Sequence, residues 1–369
     1  MRLKRIKYTD KSSWHYDELL LNDRNLIVGR NASGKTRTLD SIFFILNFII
    51  QKGKMIFGNY FLEFEDENNF YSYEIEIDFQ SSDFIIKTER LMLNDKEILV
   101  RKEDGTGKIF SDEKLEFFTF SIDLNIPAIY AKRDKIHHPI LEKINLWCQN
   151  TMMCEFGTDL GRKQGVRDEI IEELSDRYFM NTNFLTRNLK YALEKKKYGL
   201  ELKRKIISQM QELDYYIDDI QFEKYQGDLY GVKLMEKGIA NGVSQLQISQ
   251  GMFRAFSLIT HSLINIFENK VSLLIIDDIG EELDYSRSSK LIKLLIENSK
   301  KSNSQLIMAT NDRYVMNNIP LKYWHIIDRD SVKIKFYSYE KYQEVFDEFE
   351  FTGLSNFDFL ATKFYLNDK

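Results

Sequence analysis

One stretch near the start of the chain limits its possible folds more than any other. Residues 29–36 fit the pattern G-x-x-x-x-G-K-[ST] at every position. The short apolar run 25–28 before it predicts a buried strand, and the apolar run 39–50 after it predicts a buried helix. A strand, a glycine turn and a helix N-terminus together point a row of backbone N–H groups at a polyphosphate. The sequence therefore predicts a phosphate-binding loop.

The residues of this loop have separate expected roles. We expect the Lys35 ammonium to contact the β- and γ-phosphates of ATP and the Thr36 hydroxyl to bind Mg²⁺. The alternative is a chance match in a glycine turn. The predicted ATP contacts from this part of the chain are Gly29, Arg30, Asn31, Ala32, Ser33, Gly34, Lys35, Thr36 and Arg37.

Two acids follow a second apolar run. Residues 271–276 predict a buried strand, and Asp277 and Asp278 come directly after it. Ligands bind at the carboxyl ends of strands in open α/β sheets. We expect Asp277 to hold Mg²⁺, directly or through water, and Asp278 to orient or deprotonate the attacking water. The alternative is a strand end that merely carries two acids.

Composition narrows the class of protein. The chain has 369 residues and a net charge of −5, so nothing global attracts it to nucleic acid. Two cysteines provide no disulfide framework and favour a reducing, cytoplasmic setting. Zinc binding by Cys148 and Cys154 with His137 and His138 is conceivable, but their spacing matches no usual zinc pattern. The chain begins with a charged, alternating segment rather than a secretory signal, and its most apolar run, 42–50, is too short to span a membrane.

The hydrophobic pattern changes along the chain. Alternation within residues 60–120 predicts an antiparallel meander, 126–130 predicts a buried strand, and 139–149 predicts a helix. Residues 167–225 predict helices, and their clustered lysines favour either a solvated helix face or a contact with nucleic acid or a partner. From residue 246, strands alternate with helices, which predicts a mostly parallel sheet. The aromatic-rich segment 338–365 predicts helices whose rings pack in the core or, as the alternative, form an interface.

Four motifs carry a family resemblance. The loop at 29–36 resembles the G-x-N-[GA]-S-G-K-[ST] variant of ABC-type ATPase heads of the SMC, RecF and OLD-like kind. Residues 248–254 resemble the L-S-G-G-[QE]-x-R signature, in which Ser249 and Gly251 contact nucleotide. Residues 277–284 resemble D-E-x-x-[ST]-x-L-D, which ends in the D-loop residue Asp284, and Asn311 lies where the family has a switch histidine.

The resemblance implies a fold and a domain organisation. The expected fold is an α/β P-loop NTPase with an ABC-ATPase-like, mostly parallel sheet, an antiparallel β subdomain and a helical insert. The expected segments are an N-terminal ATPase part at 1–160, the helical insert at 161–232, and a C-terminal ATPase part at 233–369.

Three departures from the family motifs bear on activity. Asp278 replaces the usual glutamate and has a shorter side chain, and Asn311 replaces histidine and cannot exchange a proton. Gln250 replaces the first signature glycine, where close backbone approach to phosphate is usual. With Lys35, Asp278 and Asn311 as the catalytic set, we expect slow ATP hydrolysis and ATP-driven assembly as the main output.

The family also implies partners. Its nucleotides lie between two heads arranged head to tail, so the chain is expected to form homodimers or higher oligomers with ATP and Mg²⁺. The chain resembles stand-alone bacterial ATPases of phage-defence systems, which control a separately encoded nuclease or toxin. The alternative is a RecF-like or SMC-like repair or recombination ATPase that binds DNA, with a basic surface near the insert or the loop 132–135. A transporter subunit is disfavoured by the degenerate signature, and no membrane partner is expected.

Overall fold

A computed structural model describes residues 1–51, 57–67, 69–80, 83–155, 160, 162–163, 166–167, 182–224 and 229–367. The chain forms two compact units. The first contains Met1–Thr151 and Pro320–Lys369, and the second contains Met152–Ile319. Among the described residues, no helix is both long and apolar enough to cross a membrane.

The strands, in chain order, are β1 (Arg2–Thr9), β2 (His15–Leu20), β3 (Arg24–Val28), β4 (Gly58–Asp66), β5 (Asn69–Gln80), β6 (Asp83–Leu93), β7 (Lys96–Arg101), β8 (Thr106–Ser111), β9 (Glu116–Ser121), β10 (Thr151–Glu155), β11 (Val166–Arg167), β12 (Ile217–Lys224), β13 (Leu229–Glu236), β14 (Val243–Ser244), β15 (Leu273–Asp277), β16 (Gln305–Thr310), β17 (Trp324–Asp330) and β18 (Lys333–Ser338). The α-helices are α1 (Lys35–Ile49), α2 (Ala128–Ala131), α3 (Pro139–Gln149), α4 (Thr182–Leu193), α5 (Gly199–Glu212), α6 (Gln250–Phe267), α7 (Tyr285–Lys301), α8 (Arg313–Asn318), α9 (Gln343–Glu350) and α10 (Asn356–Ala361).

The first unit is built on a mixed sheet. Its described strands lie in the order β3-β17-β18-β2-β1-β4-β5-β6-β7-β8-β9. The pairs β3–β17 and β18–β2 are parallel. From β1 through β9 the pairs are antiparallel, so the predicted meander within residues 60–120 is confirmed. Helix α3 also has the bounds that the sequence predicts.

Buried aromatic rings pack beside the start of α1. Tyr8, Trp14 and Tyr16 are each about 1% exposed, and Trp14 and Tyr16 meet edge to face with ring centroids 5.8 Å apart. The Tyr16 hydroxyl hydrogen-bonds the Ser41 hydroxyl of α1 at 2.8 Å. These rings therefore lie in the core and fix the position of the helix that follows the phosphate-binding loop.

The strand predicted at 126–130 is wrong, because Ala128–Ala131 form the short helix α2. Its start is held by a buried carboxylate from β6: Glu89 accepts hydrogen bonds from the N–H groups of Ala128 at 2.7 Å and Ile129 at 2.9 Å. The Tyr73 hydroxyl donates a third bond to the same carboxylate at 3.0 Å. Burial raises the pKa of Glu89, and these bonds favour its charged form.

The second unit contains a parallel pair and a small antiparallel sheet. Strands β15 and β16 are parallel, with Leu274 opposite Leu306. The small sheet has the order β11-β13-β12, and β14 pairs with β13. Helix α6 is buried along nearly its whole length and packs against α4, α5 and α7.

The helical prediction for residues 167–225 is confirmed only in part. Helices α4 and α5 lie there, but Ile217–Lys224 form strand β12. Helix α5 ends at Glu212 with Leu213 as its C-cap residue, and Asp214 adopts a left-handed conformation with φ of 59°. The Tyr215 N–H then bonds the Met210 carbonyl, which closes a C-terminal capping motif and redirects the chain into a strand. The predicted helical repeat at Ile170, Ile171, Leu174 and Tyr178 lies outside the described residues.

The prediction for the aromatic tail is confirmed in part, because some of its rings are buried and four are half-buried: Tyr339, Tyr342, Phe357 and Phe364. Phe346, Phe349 and Phe359 are each at most 1% exposed, and the rings of Phe346 and Phe359 lie 4.6 Å apart. These residues belong to α9 and α10, so the C-terminal helices complete the first unit.

Replacing Glu89 should destabilise the first unit. Glu89→Ala leaves two backbone N–H groups and the Tyr73 hydroxyl without their acceptor, so we expect a loss of about 2–4 kcal/mol in the free energy of unfolding. Urea unfolding followed by tryptophan fluorescence measures it. Glu74→Ala, on an exposed position of β5, should change the value by less than about 0.5 kcal/mol. Equal effects of the two substitutions would contradict the role given to Glu89.

Candidate nucleotide-binding site

The predicted phosphate-binding loop lies between β3 and α1 in the first unit. Residues 25–29 are buried, whereas Arg30, Asn31 and Ala32 are exposed. Strand β3 pairs in parallel with β17, with Val28 opposite Ile326. The strand and the helix predicted on either side of the loop are therefore confirmed, and the tip of the loop is accessible.

Two glycines are required by the shape of the loop. A Cβ atom on Gly29 would lie 2.4 Å from the Ile327 side chain and 2.8 Å from the Ile327 carbonyl oxygen. Gly34 has φ of +104°, a left-handed conformation that glycine adopts most readily. The first glycine lets the chain pass close to β17, and the second turns it into α1.

The start of α1 is suited to an anion. Gly34 is its N-cap residue, no side chain caps the helix, and no acid lies in its first turn. The N–H groups at a helix start carry partial positive charge and attract phosphate. The Ser33 hydroxyl is buried and has no hydrogen-bond partner among the described residues. A phosphate oxygen would supply the acceptor that this hydroxyl lacks.

Lys35 lies folded against its own loop. Its side chain is buried, and its ammonium donates hydrogen bonds to the carbonyl oxygens of Gly29 and Arg30, both at 3.1 Å. The cation is therefore positioned at the loop that should receive the phosphates. Thr36 is exposed on the first turn of α1, where its hydroxyl can contact a ligand held by the loop.

Arg37 is held at the side of the loop. Its guanidinium carbon lies 4.5 Å from the centre of the Trp14 ring, and the guanidinium forms an ion pair with Asp10. On the other side, Arg329 donates a hydrogen bond to the Ala32 carbonyl at 3.2 Å. The sequence did not single out Arg329, Trp14 or Ile327 as supports of the loop, because each is distant along the chain or lacks a motif of its own.

The two acids lie at the end of β15 in the second unit. Asp277 is 6% exposed and is the last residue of the strand, whereas Asp278 is half-buried and has φ of 51°. The Asp278 N–H donates to the Asp277 carboxylate at 3.1 Å. The chain therefore turns directly after the strand, at Asp278.

Two hydrogen bonds connect this turn to the end of β16. The Ile279 N–H donates to the Ala309 carbonyl at 3.0 Å, and the Thr310 hydroxyl donates to the Ile279 carbonyl at 3.1 Å. Asn311 follows Thr310 and is exposed. The second unit thus brings the segment containing Asn311 and the segment containing Asp278 together.

The signature-like segment forms the exposed start of α6. Ser249 is the N-cap residue, and its hydroxyl accepts a hydrogen bond from the Met252 N–H at 3.3 Å. A Cβ atom on Gly251 would lie 2.6 Å from the Glu282 carbonyl oxygen. Arg254, buried on the next turn, donates to the Glu281 carbonyl at 3.2 Å. The start of α6 therefore packs directly on the segment that follows Asp278.

The predicted D-loop residue caps the next helix. The Asp284 carboxylate accepts a hydrogen bond from the Arg287 N–H at 3.0 Å and pairs with the Arg287 guanidinium at 2.9 Å. The same guanidinium donates to the Leu213 carbonyl at the end of α5, at 3.1 Å. These hydrogen bonds lower the pKa of Asp284. Arg287 was not singled out from the sequence, because its bond to the Leu213 carbonyl follows no motif, whereas Arg254 occupies the arginine position of the signature-like segment 248–254.

The predicted site residues thus fall into two sets. Gly29 to Arg37 belong to the first unit, and Ser249, Gly251, Asp277, Asp278 and Asn311 belong to the second. Within the described residues, no cluster of three or more histidine, cysteine, aspartate or glutamate side chains could hold a metal ion. Cys148 and Cys154 are buried, and burial raises the pKa of both thiols.

Comparison with known proteins identifies the fold. No protein-family model and no curated protein sequence matches this chain. The Smc head bound to the C-winged helix domain of ScpA is similar in structure, with a TM-score of 0.55 over 93% of this chain and 100% of that chain, at 14% sequence identity. This chain has the SMC head fold. The resemblance inferred from the four motifs is therefore confirmed at the level of the fold.

Two further SMC heads are similar over nearly their full length. The SMC head domain from Thermotoga maritima has a TM-score of 0.45 and 15% identity, over 91% of this chain and 98% of that chain. The Smc head domain with an extended coiled coil bound to the C-terminal domain of ScpA, derived from Pyrococcus furiosus, has a TM-score of 0.48 and 13% identity, over 94% of this chain and 99% of that chain.

Adding a methyl group at Gly251 should disturb the second unit. Gly251→Ala forces the start of α6 away from the Glu282 carbonyl, and we expect a loss of about 1–3 kcal/mol in the free energy of unfolding. Gln247→Ala, four residues earlier at an exposed position, is the matched control and should cost less than about 0.5 kcal/mol. Urea unfolding measures both. An unchanged stability for Gly251→Ala would contradict the close packing described here.

Proposed function

We propose that this protein binds ATP with Mg²⁺ at the loop 29–36 and hydrolyses it slowly. The observation that carries the proposal is the start of α1, whose N-cap residue Gly34 provides no side-chain cap. The adjacent Ser33 hydroxyl is buried and has no hydrogen-bond partner among the described residues. A buried hydroxyl without a partner is costly, and a bound phosphate would remove this cost. The SMC head fold adds support, because the four motifs resemble those of ABC-type ATPase heads of the SMC kind.

The remaining roles in this proposal follow from side-chain chemistry. Lys35 binds the β- and γ-phosphates, and Thr36 and Asp277 hold Mg²⁺, whose charge offsets that of the phosphates. Asp278 orients or deprotonates the attacking water, and Asn311 holds that water by a hydrogen bond. An aspartate with a shorter side chain and an asparagine that cannot exchange a proton together favour slow turnover.

ATP would also join two copies of the chain. Ser249 is exposed at the start of α6, although almost all the rest of this helix is buried. An anion that binds at this helix start therefore approaches from outside the second unit. We assign that anion to the γ-phosphate on the loop of a second copy, contacted by Ser249 and Gly251. ATP is then shared by a head-to-tail dimer, or by a higher oligomer built from such contacts.

The proposed output is control of a separate effector. A switch that assembles with ATP needs a target, and the Smc head among the similar structures binds the C-winged helix domain of ScpA. For this chain we propose an effector nuclease or toxin in a cytoplasmic bacterial phage-defence system. The second candidate is a RecF-like or SMC-like ATPase of DNA repair or recombination, which the SMC head fold favours. If DNA stimulates ATP hydrolysis, and if this stimulation decreases as the salt concentration rises, the repair or recombination ATPase is the correct candidate.

Removing the Lys35 ammonium should abolish ATP binding. Lys35→Ala loses charge-assisted bonds to two phosphates, so we expect the affinity for Mg²⁺–ATP to fall roughly a hundredfold or more. Isothermal titration calorimetry measures the affinity, and circular dichroism verifies the fold. Lys7→Ala, an exposed lysine on β1, should bind like wild type. Wild-type affinity in Lys35→Ala would refute the assignment of the phosphate site.

Neutralising Asp278 should trap the ATP-bound assembly. Asp278→Asn keeps the shape of the side chain but cannot accept a proton, so we expect ATP hydrolysis to fall at least about tenfold while the assembly persists. Phosphate release and native mass spectrometry measure the two effects. Glu282→Gln, a nearby exposed acid, should retain wild-type hydrolysis.

The wild-type protein itself should turn over below about one ATP per second, which is slower than the median enzyme. Faster hydrolysis without any added partner, or an Asp278→Asn protein that hydrolyses normally, would contradict the proposed roles.

A further inference from the structure

Strand β9 ends the sheet of the first unit on one side. It follows β8 in the strand order and has no further neighbour among the described strands. All six of its residues, Glu116 to Ser121, are exposed or half-buried. The strand contains no proline or lysine, and its register with β8 has no bulge. Natural sheets usually protect an open edge by such features, so an edge without them is available for pairing.

The hydrogen bonds of β8 show which groups of β9 point outward. The Ile122 N–H donates to the Gly105 carbonyl at 3.1 Å, and the Lys102 N–H donates to the Thr106 carbonyl at 2.8 Å. Along an antiparallel strand, the main-chain N–H and C=O groups of one residue hydrogen-bond the neighbouring strand, and those of the next residue point away from it. With Ile109 opposite Phe118, it follows that Phe118 and Phe120 bond β8. The N–H and C=O groups of Phe117, Thr119 and Ser121 therefore point away from the sheet.

The side chains of β9 present exposed rings with lysines over them. Phe117 is 46% exposed and Phe118 is 37% exposed, on opposite faces of the strand. The Lys114 ammonium lies 5.3 Å from the Phe118 ring centre, and the Lys132 ammonium lies 5.2 Å from that of Phe120. Neither lysine forms an ion pair with a carboxylate in the described ranges of the chain. One face of the open edge thus combines aromatic surface with these two cations and the exposed Glu116, so cations outnumber the carboxylate on this face.

We propose that β9 is a docking edge for an extended, acidic segment of a partner protein, which adds to the sheet as a further antiparallel or parallel strand. The outward groups of Phe117, Thr119 and Ser121 provide main-chain hydrogen bonds, as in known cases of strand addition. Lys114 and Lys132 select acidic side chains at alternate positions of the added strand. This edge is separate from the loop 29–36, so the interaction does not depend on ATP.

Charge disfavours a second copy of this chain as the occupant. Two β9 strands could pair about Thr119, which would place Phe118 opposite Phe120 of the second copy. Lys114, over the Phe118 ring of one copy, would then lie close to Lys132, over the Phe120 ring of the other copy. These two ammonium groups would repel each other. Nucleic acid is disfavoured as well, because it has no peptide backbone that could pair with the alternating N–H and C=O groups of the strand edge.

Thr119→Pro tests the edge directly. It removes the central outward N–H but no bond of the β8–β9 ladder, and edge strands tolerate proline. Thr119→Val keeps the N–H and is the matched control. The probe is a fluorescein-labelled peptide of about nine residues that alternates valine and glutamate, the length of a long strand. Fluorescence anisotropy should show saturable binding to wild type and Thr119→Val, and at least tenfold weaker binding to Thr119→Pro.

A second variant tests the charge selection without changing the backbone. Lys114→Glu combined with Lys132→Glu should weaken binding of the valine–glutamate peptide about tenfold. A peptide that alternates valine and lysine should also bind the wild type weakly, with an affinity no higher than that of the double variant for the valine–glutamate peptide. No binding of the acidic peptide to wild type, or equal binding to Thr119→Pro, would overturn the proposal.

Two other results would overturn it in favour of another occupant. One is ATP-independent self-association of the wild type in sedimentation that Thr119→Pro abolishes, which would indicate a second copy. The other is binding of oligo-dT that Thr119→Pro leaves unchanged and that Lys114→Glu with Lys132→Glu removes, which would indicate nucleic acid.

Discussion

The close approach of Gly29 to Ile327 determines where the phosphate-binding loop leaves its sheet. Strands β3 and β17 run parallel, and only a residue without a side chain fits beside Ile327 at this point. The chain then turns through the left-handed Gly34 into α1, whose start has no capping side chain. The phosphate site proposed for the first unit depends on this passage, because it decides which way the N–H groups at the helix start point.

A corresponding constraint holds the second unit together. Gly251 and Arg254 on α6 pack against the main chain at Glu282 and Glu281, just after the two acids. The same turn is bonded to the end of β16, where Asn311 follows. A displacement of the start of α6 would therefore be transmitted to the segments that carry Asp278 and Asn311. This arrangement suits the proposed switch, in which contact with a second copy would alter the two residues proposed to act on the attacking water.

Local patterns were sufficient to predict much of the fold. The loop at 29–36, the meander and α3 were predicted because their signals lie within a few neighbouring residues. The strand predicted at 126–130 was wrong because an apolar run of five residues suits either a strand or a helix. Glu89, almost forty residues earlier, decides for the helix by accepting hydrogen bonds from its first N–H groups.

The supports of the site were less accessible to sequence reasoning. Arg287 and Arg329 contact main-chain carbonyls, and such contacts require no matching residue type that a motif could reveal. Strand β12 was missed because the helical repeat before it continues up to Met210, and the stop comes from Asp214 rather than from glycine. The roles given to Lys35, Asp277 and Ser249 stay predictions that rest on residue chemistry.

Complementation between two defective copies tests the central proposal, a nucleotide shared by two chains, most directly. Ser249→Asp retains a good helix cap but places a carboxylate against the phosphate, and Lys35→Ala removes the cation of the loop. Each variant alone should be inactive. In an equal mixture, half of the dimers would contain both variants, and one of their two sites would be intact, so ATP hydrolysis should recover to about a quarter of the wild-type value. A mixture as inactive as its components, or a Ser249→Asp protein with full activity alone, would contradict the account.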